Sequence, residues 1–290
     1  MNLRQKINAA RARLVSAGFA VLDAGRDANL LARHTLGWDR ATLMTHETDE
    51  AKPVFIERYD PWIERRARRE PVAYICGEQE FWNRDFAVTR AVLIPRPETE
   101  IVIEELLACL PPEFPSRPAK VVDIGTGSGC IAVTAAAELP LLKVIATDIS
   151  RAALDVARAN AERYGVSDRI TFAECPYVNR AWGPFDFILA NPPYVTDAEY
   201  EDLAPEVREY EPRTALTAGE DGLRDIRQVI EIASTQLVPG GKAFIEIGHQ
   251  HADAVAELVE RFPSLHLKKI SADLQRIPRV AIIERTITEP

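Results

Sequence analysis

The sequence predicts an α/β fold: a mostly parallel β-sheet with an antiparallel hairpin at one edge, preceded by a small N-terminal helical domain. From about residue 119 onwards, short apolar runs alternate with segments of helical period, as in a parallel sheet covered by helices on both faces. Before residue 70, apolar residues recur at helical intervals. These patterns predict a helical domain over 1–70, a linking β-hairpin over 71–95 and an α/β domain over 96–290.

The helical domain is predicted from its apolar spacing. Apolar residues recur every three or four positions, beginning with Leu3, Ile7, Ala10 and Leu14. Gly18, Gly37 and Pro53 separate the successive helices. The basic run Arg65–Arg69 has helical spacing, which is more typical of a solvated face than of a binding patch. We expect this domain to serve packing or the recognition of a partner.

The next segments change from helical to extended character. Residues 71–77 and 81–88 read as short strands, with a turn at Asn83-Arg84-Asp85. Pro95 and Pro97 then hold Arg96 extended before a helix that begins with acidic residues. The proline-rich stretch 110–118 predicts a surface linker.

The α/β domain is predicted as five strands, four helices and a final hairpin. The strands are expected near 120–124, 143–147, 169–173, 185–190 and 242–247. The helices are expected near 129–138, 151–164, 223–237 and 252–261. The hairpin at the sheet edge is expected from 265–270 and 279–283.

Composition narrows the possible classes of function. The chain has 290 residues, of which 47% are hydrophobic and 27% charged, as in a soluble globular protein. Its apolar runs are shorter than the ~20 residues needed to cross a bilayer, and its first residues are too polar for a secretory signal, so we expect a cytoplasmic protein. The four cysteines have no two-residue spacing, which argues against a zinc site and a disulfide scaffold.

The net charge of −9 is distributed unevenly. Residues 1–90 contain 15 Lys and Arg against 13 Asp and Glu, whereas the remaining residues contain 20 against 31. An acidic α/β domain disfavours sequence-independent binding to phosphates, so no stable nucleic-acid complex is expected.

A glycine-rich turn follows the first strand of the α/β domain, at Gly125-Thr126-Gly127-Ser128-Gly129. Glycine lets the backbone approach a ligand closely, because it has no Cβ and tolerates positive φ. The spacing G-x-G-x-G differs from the dinucleotide fingerprint G-x-G-x-x-G, so a pyrophosphate site is not indicated. Asp148 ends the second strand, where an acidic side chain accepts hydrogen bonds from ribose hydroxyls. A nucleoside without a diphosphate fits both features.

A second motif, Asn191-Pro192-Pro193-Tyr194, ends the apolar strand 185–190. The prolines fix the backbone, and the Asn191 side-chain oxygen and the Pro192 carbonyl offer two acceptors for one planar NH2 group. Tyr194 could stack on the face of that group. An Asn-Pro-Pro sequence is also an ordinary way to end a strand, so this interpretation depends on the glycine-rich turn nearby.

Together the two motifs resemble those of Rossmann-like S-adenosylmethionine-dependent methyltransferases. Within that superfamily the chain resembles the HemK/PrmC family over about residues 4–285, through the segments 71–74, 80–82, 94–100, 211–216 and 221–222. The resemblance implies methyl transfer from S-adenosylmethionine to the side-chain nitrogen of the glutamine in the GGQ motif of class-I peptide chain release factors. It implies catalytic roles for Asn191 and Pro192 and substrate binding by Asn191, Pro192, Pro193 and Tyr194. It implies cofactor binding by Asp123, Gly125, Thr126, Gly127, Ser128, Gly129, Asp148 and Asn191.

One segment departs from the family pattern. Where the family has an acidic residue near the adenine after the third strand, this chain has Ala173-Glu174-Cys175-Pro176-Tyr177, and Glu174 could substitute from one position away.

Three other functions use the same features. A relative could methylate a glutamine in a ribosomal protein, since motif and chemistry would be shared. An adenine-N6 methyltransferase of nucleic acid would present the same NH2 geometry, although the acidic α/β domain disfavours it. A nucleoside-binding regulatory protein would use the fold without catalysis.

Overall fold

The computed structural model describes residues 1–110 and 118–287, and it divides into two compact units. A helical unit comprises Met1–Glu78 with Ala204–Tyr210, and an α/β unit comprises Gln79–Leu203 with Glu211–Pro290. Most of the predicted linker, residues 111–117, lies outside the described residues. Among the described helices, none combines the length and the apolar character that crossing a membrane requires.

The described helices and strands follow in chain order. The helices are α1 (Leu3–Ser16), α2 (Val21–Leu36), α3 (Arg40–Thr45), α4 (Pro53–Ala67), α5 (Val72–Cys76), α6 (Glu100–Ala108), α7 (Cys130–Glu138), α8 (Arg151–Arg163), α9 (Asp197–Asp202), α10 (Pro205–Arg208), α11 (Arg224–Gln236) and α12 (Ala252–Glu260). The strands are β1 (Glu78–Phe81), β2 (Arg84–Ala87), β3 (Ala119–Ile124), β4 (Leu142–Asp148), β5 (Ile170–Glu174), β6 (Phe185–Ala190), β7 (Leu237–Glu246), β8 (Leu265–Ala272) and β9 (Pro278–Arg285).

The helical unit packs α1, α2, α4 and α5 around an apolar core that includes Leu14, Leu31 and Tyr59. It also buries charge. Arg66 Nε lies 2.8 Å from Asp27 Oδ2, and Arg66 Nη2 lies 3.1 Å from Glu206 Oε1 in α10. Arg66 therefore belongs to a buried ion network rather than to the solvated face expected for the basic run.

Two local features differ from expectation. Residues 72–76 form the short helix α5 instead of a strand, ended by Gly77 at φ +83° with its N–H donating to Ala73 O. Apolar runs this short fit either structure, and here Ala73, Tyr74 and Ile75 are all buried. The β1–β2 turn lies at Trp82 and Asn83, both with positive φ, because a two-residue turn of this kind matches the twist of a hairpin.

The α/β unit contains a seven-stranded sheet in the order β5-β4-β3-β6-β7-β9-β8. The strands β3 to β7 pair in parallel, whereas β9 is antiparallel to both β7 and β8. Separate apolar clusters cover the two faces of the sheet. The predicted mostly parallel sheet with an antiparallel edge hairpin is therefore confirmed.

The strand order determines where a ligand can bind. From β3 the chain builds outward through β4 to β5 and then returns to β6 on the other side of β3. In open parallel sheets such a reversal leaves a crevice at the carboxyl ends of the two central strands. The glycine-rich turn leaves β3 and Asn191 follows β6, so both lie at this crevice.

Candidate active site

The glycine-rich turn is held by β4. The N–H groups of Gly125 and Thr126 both donate to Thr147 O, at 2.9 and 2.8 Å. Gly127 adopts φ +54°, a conformation that side-chain-bearing residues rarely take. At Gly129 an added Cβ would lie 3.0 Å from the Cβ of Ala157, so the glycine also permits close packing of α8. The turn is thus fixed on one side and open on the other.

Asp148 connects the end of β4 to this turn. Its Oδ2 accepts from the Gly127 N–H at 3.0 Å, and its Oδ1 accepts from the Ser150 N–H at 2.8 Å. Burial raises the pKa of the carboxyl, and the two backbone donors offset part of that effect. A carboxylate has about four lone-pair sites, so Asp148 can hold the turn and still accept hydrogen bonds from a ligand.

Asp123, the predicted partner at the end of β3, is fully buried. Its Oδ2 accepts from the Thr126 hydroxyl at 2.6 Å, whereas its Oδ1 has no hydrogen-bond partner within the described residues. Burial raises the pKa of this carboxyl to about 7. Buried polar atoms are normally paired, so an unpaired carboxylate oxygen next to the turn indicates a functional position.

Asn191 follows β6, and its side-chain amide has a fixed partner. Its Nδ2 donates to Thr99 Oγ1 at 3.0 Å, and the Thr99 hydroxyl donates to Glu246 Oε2 at 2.6 Å. Thr99 ends a short 3₁₀ turn (Pro97–Thr99) before α6, and Glu246 is the last residue of β7. Three separate segments therefore position the predicted catalytic amide.

Glu246 is buried within this arrangement. Its exposed fraction is 2%, and burial raises the pKa of its carboxyl to about 7. Its second oxygen, Oε1, accepts from the Tyr194 hydroxyl at 3.2 Å. Sequence reasoning missed both Thr99 and Glu246 as site residues. A carboxylate within the apolar run Phe244–Ile247 was the signal that could have identified Glu246.

The rest of the predicted tetrapeptide separates in space. Pro193 lines the same cavity as Asn191, whereas Pro192, the residue between them in the sequence, is buried. Tyr194 instead lines a second cavity with Glu199 and His251, its ring centroid 6.5 Å from that of His251. Its hydroxyl donates to Glu246, so Tyr194 contacts the residue that positions Asn191 through Thr99 and does not line the cavity of Asn191.

One cavity of about 230 Å³ brings most of the predicted cofactor residues together. From the predicted set it is lined by Gly125, Thr126, Gly127, Ser128, Asp148 and Asn191. Asp123 and Gly129 contribute to the turn without lining the cavity. Thr99, Ile149, Tyr177 and Asp225 line it and were not assigned to the cofactor site from the sequence.

Glu211 joins two loops that border this cavity. Its Oε2 accepts from the Ile94 N–H at 3.0 Å, and its Oε1 lies 2.5 Å from Arg96 Nη2. Pro95 and Pro212, the neighbours of these residues, both line the cavity. A buried carboxylate thus connects the segment 94–100 with the segment 211–216.

The segment expected to contact adenine lines the cavity only in part. Glu174 is exposed and lies 3.7 Å from Arg151, outside the cavity lining. Pro176 and Tyr177 line the cavity instead. The Tyr177 hydroxyl donates to Asp225 Oδ1 at 2.7 Å, and Asp225, near the start of α11, also lines the cavity.

Comparison with known proteins adds family information. Residues 5–77 match the family model described as the PrmC N-terminal domain, and residues 101–208 match the methyltransferase small domain. A release factor glutamine methyltransferase from Cereibacter sphaeroides is 44% identical over 261 residues, covering 90% of each chain. Another from Koribacter versatilis is 41% identical, covering 88% of this chain and 89% of the relative.

Solved structures resemble the fold at lower identity. The hMettl16 catalytic domain in complex with MAT2A 3′UTR hairpin 6 is 17% identical, with a TM-score of 0.55, covering 82% of this chain and 84% of that one. A methyltransferase from Pyrococcus furiosus is 20% identical, with a TM-score of 0.51, covering 71% and 91%. At these identities the likeness concerns the fold alone.

Proposed function

The chain belongs to the release factor glutamine methyltransferase family, and from this membership we propose that it methylates a glutamine side-chain nitrogen in class-I peptide chain release factors, using S-adenosylmethionine. The glutamine is that of the GGQ motif. We place this activity in the cytoplasm, where translation termination takes place.

The observation that carries the proposal is that the Gly125–Ser128 turn and Asn191 line one cavity. The first feature suits a nucleoside and the second suits an NH2 group. Methyl transfer requires a donor and an acceptor to be held in contact, and a shared cavity allows this. A protein that only bound a nucleoside would not need the fixed amide of Asn191.

The residues present fit S-adenosylmethionine. When bound, this cofactor supplies an electrophilic methyl group on a positively charged sulfonium. Asp148 keeps acceptor capacity after binding Gly127 and Ser150, Asp123 has an unpaired buried oxygen, and Asp225 adds a third carboxylate near the cavity. We assign cofactor binding to Asp123, Gly125, Thr126, Gly127, Ser128, Gly129, Asp148 and Asn191.

Asn191 and Pro192 are proposed to bind and orient the substrate amide. A carboxamide nitrogen is a poor nucleophile, because its lone pair is delocalised into the carbonyl. If Asn191 Oδ1 and the Pro192 carbonyl each accept one N–H, the nitrogen is oriented for attack by positioning rather than by acid–base chemistry. We assign substrate binding to the tetrapeptide Asn191–Tyr194 as a whole, with Tyr194 supporting it through Glu246.

The helical unit is proposed to recognise the release factor, with residues 1–70 as its main part. The support is that residues 5–77 match a model named for the PrmC family itself. Residues 101–208 match a model that describes methyltransferases in general. Leu22 at the start of α2 is 85% exposed and offers a position to perturb. Leu22→Asp should raise the KM for the release factor without changing cofactor affinity. Leu274→Asp, at a fully exposed leucine of the α/β unit, is the control.

The direct test is incubation of the full chain with methyl-labelled S-adenosylmethionine and a purified release factor, followed by mass spectrometry of the peptides. We expect one methyl group on the glutamine of the GGQ motif, and a strongly reduced initial rate of labelling with the Asn191→Ala variant. Parallel reactions contain a ribosomal protein fraction or single-stranded nucleic acid. Label transfer to one of these, with none to the release factor, would contradict the proposed substrate.

A further inference from the structure

A chain of hydrogen bonds leads from Asn191 into the sheet. Asn191 Nδ2 donates to Thr99 Oγ1, which donates to Glu246 Oε2. The other carboxylate oxygen of Glu246 accepts from Tyr194. Thr99 and Glu246 are only 1% and 2% exposed, so water does not compete readily for these bonds.

The number of available protons determines which end of Asn191 faces Thr99. A threonine hydroxyl has one proton, and Thr99 gives it to Glu246. Its oxygen can then only accept, so the Asn191 atom beside it must be the amide nitrogen. The amide oxygen is the end that remains for a ligand in the cavity.

We propose that Thr99 and Glu246 are positioning residues for methyl transfer: the Glu246 carboxylate, acting through the Thr99 hydroxyl, holds the Asn191 amide with its oxygen directed to the substrate. The inference rests on the proposed function for the identity of that substrate, a glutamine side chain. It extends that function by making the site dependent on the charge of a buried group that does not touch the substrate.

Protonation of Glu246 on Oε2 reverses the chain of bonds. The carboxylic acid then donates to Thr99, and the Thr99 proton turns towards Asn191. An amide oxygen is now the favoured neighbour, so the Asn191 NH2 turns towards the cavity. It would meet the NH2 group of the substrate, and two donors cannot bond to each other.

The surroundings of Glu246 favour titration near neutral pH. Burial is the largest influence and raises the pKa to about 7. Glu98 raises it further, whereas the bonds from Thr99 and Tyr194 and the charge of Arg279 on β9 lower it. The Cys130 thiol on α7 also interacts electrostatically with the Glu246 carboxylate. Arg279 is itself paired with Asp273 at 2.9 Å, so it compensates the buried charge only in part.

The first test compares variants at Thr99. Thr99→Val keeps the shape but removes the hydroxyl, and it should lower the single-turnover rate at pH 8 by roughly 10- to 100-fold, with cofactor affinity unchanged. Thr99→Ser restores the hydroxyl and should recover most of the rate. Thr134→Val is the matched control, because Thr134 is also fully buried but its hydroxyl has no partner within the described residues.

The pH profile separates positioning from mere packing. The rates are measured at saturating cofactor at every pH, because Asp123 in the proposed cofactor site also has a pKa raised to about 7. The wild-type rate should fall as the pH decreases through about 7, and Thr99→Ser should retain this decrease. In Thr99→Val the link to Asn191 is cut, so the residual rate should not depend on Glu246. A Thr99→Val variant with the wild-type rate, or with the wild-type pH profile at a reduced rate, overturns the inference.

A readout without turnover uses the side-chain amide of Asn191. Its ¹⁵N resonances, assigned by their loss in Asn191→Ala, should show protected protons in the wild type and rapid exchange in Thr99→Val. Equal exchange in both proteins overturns the inference even if the protein proves to be a methyltransferase. If the wild type methylates no glutamine, the proposed function fails, while this measurement still tests the chain of bonds.

Discussion

In the helical unit the buried carboxylate of Asp27 lies 2.8 Å from the guanidinium of Arg66, and Arg26 approaches its other oxygen at 3.2 Å. In the α/β unit the buried carboxylates of Asp123 and Glu246 face hydroxyl groups of Thr126, Thr99 and Tyr194. The α/β unit also contains a buried ion pair, in which Glu211 Oε1 lies 2.5 Å from Arg96 Nη2. Asp27 and Glu211 thus have a positive partner in direct contact, whereas Asp123 and Glu246 accept hydrogen bonds from hydroxyl groups.

The difference separates charge used for structure from charge used for function. An ion pair with satisfied geometry offsets the desolvation of both groups. A carboxylate that faces only neutral donors keeps a raised pKa, as Asp123 and Glu246 do, and remains able to respond to a proton or a cationic ligand. The carboxylates without a positive partner in direct contact therefore support the candidate active site independently of the cavity.

The largest effect is expected from removing the compensated charge. Asp27→Ala leaves the buried Arg66 with Glu206 as its carboxylate partner and the Glu70 carbonyl as a neutral acceptor. Loss of one member of a buried pair costs about 3–5 kcal/mol. Hydrogen exchange of α2 and α4 should accelerate accordingly, while cofactor affinity of the α/β unit stays near the wild-type value.

The control for this prediction is Asp23→Ala. Asp23 pairs with Arg26 at 3.3 Å on the surface, with a half-exposed side chain, so its loss should cost about 0–1 kcal/mol. Similar exchange rates in the two variants would mean that the buried network is no more important than a surface pair, and the structural role given to the ion-paired carboxylates would be wrong.

The next effect concerns catalysis rather than stability. Asn191→Ala removes one of two proposed acceptors and should raise the barrier to methyl transfer by roughly 3–4 kcal/mol, about a factor of 10²–10³ in rate. Unfolding and cofactor affinity should change little, because the glycine-rich turn is untouched. Single-turnover kinetics with saturating cofactor measure this step, and a wild-type rate would exclude the two-acceptor mechanism.

The Asn191→Asp variant sharpens the same prediction. It keeps an acceptor and the shape of the side chain but cannot donate to Thr99. We expect a rate closer to that of Asn191→Ala than to the wild type. A fully active Asn191→Asp would show that the acceptor matters and that its attachment to Thr99 does not.

The third substitution, Glu246→Gln, is expected to stabilise the protein, whereas the first two lower its stability or its rate. The unfolded Glu246 carboxyl has an ordinary pKa of 4.5, whereas burial raises it to about 7 in the folded protein. Between these values the native state holds a proton that the unfolded state has lost, so stability decreases as the pH rises and then levels above about 7. Glu246→Gln cannot ionise and should be more stable than the wild type above this range, by up to roughly 3 kcal/mol.

Denaturant unfolding between pH 4 and 8 tests this. The difference in unfolding free energy between Glu246→Gln and the wild type should be constant below about pH 4.5 and should grow as the pH rises above that value. Glu257→Gln, on the exposed face of α12, serves as the control for removal of a carboxylate from the same unit. A constant difference between Glu246→Gln and the wild type at all pH values would show that the Glu246 charge is compensated after all.

The sequence was sufficient for the order of elements but not for the bonds between distant ones. Most strand and helix positions in the α/β unit followed from apolar period, and their observed bounds agree closely except that β7 begins earlier, at Leu237. The short helix α9 (Asp197–Asp202) was not predicted. Apolar periodicity is a property of residues that are close together in the sequence, so it does not reveal contacts between distant segments. The contact of Thr99 with Glu246 joins residues 147 positions apart, and only the folded sheet brings them together.

Other misses have the same physical origin. The segment Ala204–Tyr210 clusters with the helical unit, although its sequence lies between parts of the α/β unit. Its short helix α10 has no apolar period that would reveal this. The link includes the contact of Glu206 with Arg66 and the hydrogen bond from the Tyr210 hydroxyl to Arg68 O. The G-x-G-x-G turn and the Asn-Pro-Pro-Tyr turn were identifiable because their chemistry is contained in consecutive residues.

The smallest effect is expected at Tyr177, whose hydroxyl donates to a carboxylate, Asp225, that also has a positive partner. Tyr177→Phe keeps the ring in the cavity lining but removes its bond to Asp225, which retains Arg224 at 2.9 Å. The ring is then less firmly fixed, and cofactor affinity should fall by about tenfold or less, since one such bond contributes about 1 kcal/mol. Tyr164→Phe, which loses a hydroxyl bond to Asp85 O away from the cavity lining, should leave affinity unchanged. Calorimetry gives both affinities, and the rate at saturating cofactor should match the wild type because Asn191 and Thr99 are intact.

A reduced saturating rate in Tyr177→Phe would instead connect the Tyr177–Asp225 pair to the reacting end of the cavity.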